Sequence, residues 1–209
     1  MQKLLQETIR FFEQWLEMTS VGVEHLRPSI DALKKLGEPV DRETFIPPLV
    51  KQWLEPCLQM PTASHCEPLM MVLREVAWQM KWIPSPANYI SPDFAKGFAY
   101  AQLVGHPHRA VESAVYLSDE VAVGLSIQAP RLFYPPHHHP AIEFYMPLAG
   151  TAVWQLGTDK PQPQSPGAAI FHDTMVSHGM QTQDEPMLTI WAWTGELNSP
   201  PVVTKREWL

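Results

Sequence analysis

The chain has 209 residues, 45% apolar and 18% charged, enough for one large domain or two small ones and too apolar for a disordered protein. A net charge of −7 with no basic stripe excludes nucleic acid as a partner, because phosphate binding needs clustered Lys and Arg. The two cysteines, Cys57 and Cys66, lack zinc-finger spacing and are too few for a disulfide framework, so they read as ordinary thiols of a reduced cytoplasm.

The opening stretch MQKLLQETIRFFEQWLEM carries charges throughout, unlike a signal peptide. No segment is long and apolar enough to span a bilayer, so no membrane role is expected. Leu5, Ile9, Phe12 and Leu16 recur at helical spacing and predict a first helix. Pro28 to Leu36 predicts a second, with Pro at its start, Gly37 beyond its end and Pro39 after that. Phe45 to Leu54 and Ser64 to Trp82 carry further apolar stripes. Ser91-Pro92-Asp93 opens a last helix that Gly105 would close.

The period changes after that. Short β-prone runs follow at Val111–Tyr116, Val121–Gln128, Ile142–Tyr145, Thr151–Leu156, Ala168–Phe171 and Met187–Thr194, separated by Pro and Gly clusters. PQPQSPG, around residues 161–167, reads as a loop. The expected fold class is α+β, with a helical N-terminal region over 1–105 and a small β-barrel over 106–209.

The chemistry concentrates in YPPHHHPAIEFYMPLAG, residues 134–150. Five of the nine histidines lie between positions 137 and 178. His137, His139, Glu143 and Tyr145 are all odd-numbered, so an extended chain would turn them to one face and His138 to the other. Imidazole, carboxylate and phenol inside a barrel are costly unless something satisfies them, and a divalent metal would do so. Nitrogen and oxygen ligands without cysteine suit Zn, Fe or Mn, with Ni and Co also open. A phenol beside a divalent cation has its pKa lowered, which would make Tyr145 a competent base. Tyr134, Trp191 and Trp193 offer aromatic faces to a cation without hydrogen-bond donors, or plain core packing.

The spacing H-x-H-x3-E-x6-G, met by His137, His139, Glu143 and Gly150, resembles the first box of the cupins. Pro166-Gly167 followed by His178 resembles the second, with His172 standing where cupins often have proline. Y-x2-H-x-H-P-A-x-E-x-Y followed by LAGTAVW is similar to the cupin-type dimethylsulfoniopropionate (DMSP) lyases of marine bacteria, which also set a helical portion before the barrel. That resemblance implies metal ligands at His139, Glu143 and His178, with Tyr145 as a further ligand or as the base. It also implies a site role for His137 and substrate-facing aromatics at Tyr134 and Trp193. The implied activity is β-elimination of DMSP to dimethyl sulfide and acrylate. Cupins host other chemistry, so a non-haem dioxygenase, an isomerase or lyase on another small carboxylate, and a non-catalytic binding protein stay open. The helical half would shield the site mouth or form a homo-oligomer interface.

Overall fold

The computed structural model describes residues 1–86, 89–110 and 113–204. Four helices come first: α1 Gln2–Met18, α2 Val23–Lys34, α3 Pro48–Gln59 and α4 Glu67–Val76. A 3-10 turn at Ala77–Gln79 leads to β1 Trp82–Pro84, then α5 Pro92–Gly97 and β2 Phe98–Gly105. The remaining strands are β3 Tyr116–Leu117, β4 Val121–Gln128, β5 Phe133–His138, β6 Ile142–Ala149, β7 Ala152–Leu156, β8 Gln162–Gln164, β9 Ile170–His172, β10 His178–Thr182, β11 Met187–Thr194 and β12 Val202–Val203. Among the described residues no helix is long and apolar enough to cross a membrane.

The strands form two sheets, antiparallel except for the short β3 beside β2. The seven-stranded sheet runs β1-β2-β4-β11-β6-β9, and the five-stranded sheet runs β12-β5-β10-β7-β8. Alternation along the central strands of the large sheet gives it two faces. Val123, Leu125, Phe144, Met146, Ile190 and Ala192 join one apolar core with Phe12, Trp15, Leu26, Leu33 and Leu73 of the helices. Trp15 meets Phe144 edge-on, with ring centroids 5.9 Å apart. On the other face Tyr145 joins Tyr134, Trp154 and Met180 of the small sheet in a second cluster.

Strands β4 and β11 keep the bounds expected of them. Several other expectations are corrected. The helix expected from Pro28 starts at Val23 after Gly22 in the left-handed region (φ 70°), and Pro28 lies inside it. Pro28 forfeits one helical N–H, and burial of Leu26, Ile30 and Leu33 outweighs that loss. The third helix starts at Pro48, not Phe45, because a proline suits the first helical position. The run Ser64–Trp82 divides into α4, the 3-10 turn and the start of β1.

Ser91 caps α5 as expected, its hydroxyl accepting from the Phe94 N–H at 3.0 Å, but the helix stops at Gly97. The segment expected to continue it is β2, in which Ala99, Ala101 and Leu103 turn inward and pair along β4. The N-terminal region therefore also contains β1 and β2, and the boundary at 105 falls at the end of a sheet strand. Of the run Val111–Tyr116, the first two residues lie outside the described residues, Ser113–Val115 form no strand, and Tyr116 opens β3. Gln162–Gln164 of the expected loop pair with β7 as β8.

Strand β5 contains Pro135 and Pro136, which cannot donate to a ladder. Its partner β10 slips register between His178 and Met180. Gly179 stands at that bulge, where a Cβ would sit 2.9 Å from the Pro136 nitrogen. The bulge lets two prolines enter an interior strand and keeps His137 opposite His178.

Candidate metal centre

Four predicted residues, His137, His139, Glu143 and His178, meet between the sheets, all nearly inaccessible to solvent. They do not share one extended segment. His137 lies near the end of β5 in the small sheet, the chain turns at Pro140, and Glu143 lies near the start of β6 in the large sheet. Both strands present their inner faces to one interior, so the odd-numbered side chains converge from opposite walls. Gly150 of the motif ends β6 with φ 75°, and a Cβ there would lie 2.0 Å from the Pro186 carbonyl oxygen, so no other residue fits. His138 is only half-buried, in line with its expected place on the other face.

The histidine tautomers are legible from their hydrogen bonds. Nδ1 of His139 lies 2.8 Å from the Ala141 carbonyl, and Nδ1 of His178 lies 2.9 Å from the Val176 carbonyl. A carbonyl only accepts, so each Nδ1 donates, and the matching imidazole tautomer turns a bare Nε2 inward. His137 is set likewise by the Pro135 carbonyl at 3.0 Å. Nε2 of His139 and of His178 lie 3.4 and 3.3 Å from Oε2 of Glu143, and both are buried without a hydrogen-bond partner. Lone pairs thus face lone pairs in a buried interior, which is unfavourable unless a cation lies among them. The donors fit a divalent transition metal, and the cluster is compatible with a metal ion.

Burial alone would raise the Glu143 carboxyl, but the three imidazoles around it, with His172 in hydrogen-bond contact, outweigh burial and hold the group well below the usual carboxylate range. His172, which the sequence places where cupins often have proline, is in the cluster as well. It pairs with Glu143 across β6 and β9, and its Nδ1 lies 2.7 Å from Oε2. Burial, reinforced by His178, lowers its pKa to about 4. Its ring stacks on His178 with centroids 3.8 Å apart.

The aromatic positions divide. Tyr134 stacks on His137 at 4.1 Å, and its hydroxyl meets that of Tyr89 at 3.2 Å. Trp193 lies 4.3 Å from the His139 ring and donates its indole N–H to Oε1 of Glu143 at 2.6 Å. Trp191 covers Gly124 and lies beside Trp193, with ring centroids 5.9 Å apart. Tyr145 is buried in the same interior with its ring 5.0 Å from Trp154. Its hydroxyl meets Ser126 Oγ at 2.6 Å, and Ser126 in turn meets Thr189 at 2.6 Å. Burial, then the charge of Glu143, push the Tyr145 phenol well up, while hydrogen bonds from Ser126 and Thr189 oppose them.

Sequence reasoning missed Tyr89, Ser126, Trp154 and Thr189 as neighbours of the site. Ser126 and Thr189 had a readable signal, since each is a hydroxyl within a mostly apolar strand. Tyr89 had none, because its segment has no period.

Fold and site define a class: a helical layer on a two-sheet β-fold that encloses a buried histidine–carboxylate centre. The chain matches the family model for dimethylsulfoniopropionate lyase over residues 25–189. It is 29% identical over 163 residues to dimethylsulfoniopropionate lyase DddQ of Ruegeria pomeroyi, spanning 78% of this chain and 77% of that one. The crystal structure of DMSP lyase DddQ from R. pomeroyi superposes with a TM-score of 0.71 at 24% identity, over 93% of this chain and 96% of that one. A chain from the crystal structures of the DMSP lyases RdDddP and RnDddQII gives 0.72 at 23% identity, over 97% and 98%. The chain belongs to the dimethylsulfoniopropionate lyase family.

Proposed function

We propose that this chain is a metal-dependent DMSP lyase. The observation that carries the reading is the pair of bare Nε2 atoms, on His139 and His178, around one oxygen of a buried Glu143. With His137 alongside, these residues would hold one divalent ion, with Zn, Fe or Mn as the expected occupants. Such an ion, when bound, supplies a Lewis acid that draws on a substrate carboxylate, acidifies the adjacent Cα–H and favours phenolate over phenol.

The remaining roles belong to the chain. Tyr145 as phenolate takes the Cα proton. The electron pair of that C–H bond forms the Cα–Cβ double bond, and the Cβ–S bond breaks with its pair on sulfur. Neutral dimethyl sulfide and acrylate leave, and the proton remains on the Tyr145 oxygen until it passes to water. Ser126 and Thr189 donate to the phenolate and hold its oxygen in place. Tyr134 and Trp193, on different sides of the histidine cluster, present aromatic faces to the sulfonium, which has no hydrogen to donate, and Trp191 backs Trp193. The enclosed interior keeps water from the reacting atoms.

The test is headspace detection of dimethyl sulfide from purified, metal-loaded protein given DMSP without oxygen. Release of dimethyl sulfide is expected. Failure to release it, with metal bound and the fold intact, overturns the reading; oxygen consumption on a carboxylate substrate would favour a dioxygenase instead.

A further inference from the structure

His172 lies as near to Glu143 and His178 as a ligand would, yet its hydrogen bonds give it a different part. Trp154 donates its indole N–H to Nε2 of His172 at 3.2 Å. An indole nitrogen only donates, so Nε2 of the neutral imidazole carries the lone pair and Nδ1 carries the proton. That proton points at Oε2 of Glu143, 2.7 Å away. His139 and His178 are set the opposite way, with Nδ1 donating to a carbonyl and Nε2 bare toward the centre. Two side chains of one type, stacked 3.8 Å apart, thus have opposite polarity toward the same carboxylate oxygen.

Glu143 is also held from its other side. Oε1 accepts the Trp193 indole N–H at 2.6 Å. Each carboxylate oxygen therefore has one N–H donor, from β9 at Oε2 and from β11 at Oε1. Oε2 is also the oxygen that faces His139 and His178.

We infer, on the metal reading above, that His172 is a positioning residue and not a ligand: with Trp154 behind it and Trp193 opposite, it fixes Glu143 so that Oε2 alone meets the metal. Two indoles and one imidazole set the carboxylate plane. Trp193 holds Oε1 while Oε2 faces His139 and His178, an orientation in which one oxygen would meet the ion and coordination capacity would remain for a substrate carboxylate.

Cobalt(II) tests this without turnover. The metal-free chain is titrated with cobalt(II) against a competing chelator, and its visible absorption band is recorded. His172→Asn keeps an amide N–H near the position of Nδ1, whereas His172→Leu removes the donor. The asparagine variant is expected to bind cobalt(II) with nearly the wild-type affinity and band. The leucine variant should bind about 10–100-fold more weakly, as loss of an orienting partner does. Trp193→Phe frees Oε1, so its band should weaken as the coordination number rises, with cobalt(II) still bound. Trp154→Phe, which leaves Glu143 untouched, should reproduce part of the leucine effect and keeps the test alive if the leucine variant fails to fold. If His172→Asn loses cobalt(II) as fully as His139→Ala, His172 is a ligand and this inference is wrong. An unaltered band in Trp193→Phe also contradicts it. If the wild-type chain binds no cobalt(II), the metal reading fails, and this inference with it.

Discussion

The two faces of the seven-stranded sheet are built from the same strands and do opposite work. On the helix side, Phe144, Met146 and Ile190 are buried among helix side chains, where packing and water exclusion supply the stability. One residue away on the same strands, Glu143, Tyr145 and Thr189 are just as buried but polar, and each finds hydrogen-bond partners. The apolar face is self-sufficient. The polar face leaves the Nε2 atoms of His139 and His178 unpaired, an arrangement compatible with a bound metal ion. Period-two alternation turns a single sheet into a wall between a stabilising layer and a reactive one.

Substitutions on the two faces should separate cleanly. The largest effect is expected inside: Tyr145→Phe should cut lyase turnover by about 10²–10⁴-fold, the usual worth of a general base. Metal content by elemental analysis should stay at the wild-type level, and a normal rate would remove Tyr145 from the chemistry. Next comes the outer face. Phe144→Ala deletes a ring wedged between Trp15 and Phe171 and should cost about 3–5 kcal/mol in chemical denaturation. Its folded fraction should still bind metal as the wild type does; loss of metal affinity at full folding would show that the faces are coupled.

Acid should then find the inner face first. Burial, with His178 beside it, lowers His172 from 6.5 to about 4, so the unfolded chain binds more protons than the folded one in that window. His137 is likewise held low, chiefly by burial, and Glu143 is held below its ordinary value. The two histidines contribute stability that is present above pH 6.5 and is lost as the pH falls toward 4, whereas the contribution of Glu143 is present above 4.5 and is lost only below it. The melting temperature of metal-free protein should drop across that window, and His172→Asn should flatten part of the drop. A flat profile would contradict the buried neutral imidazole. The smallest effect belongs to the solvent side of the helices. Lys3 and Glu75 meet at 2.5 Å with both side chains more than half exposed, so Lys3→Ala should change stability by less than about 1 kcal/mol.

Much of the centre was legible because its spacing is local. His137, His139 and Glu143 fall within one short stretch, and the parity of their positions survived even though the chain turns between two sheets at Pro140. Parity held because both strands offer the same interior face; the picture of one continuous strand did not. Strands β4 and β11 were legible from their uninterrupted β-prone runs. Strand β2 was not, since FAYAQLVG suits a helix as well as a strand, and only pairing with β4 decides between them. Strand β5 was hidden by Pro135 and Pro136, which the bulge at Gly179 accommodates from a strand far along the chain. The part played by His172 was out of reach for a similar reason. Its polarity is set by the Trp154 indole, a contact made by the fold and not by spacing.

One titration tests metal-dependent lyase activity most directly. Metal-free protein is loaded stepwise with a divalent metal, and dimethyl sulfide release from DMSP is followed at each step. Release should rise from none in proportion to bound metal and level off at one ion per chain. Equal release from metal-free protein, or none at full occupancy, would contradict a metal-dependent lyase centred on His139, Glu143 and His178.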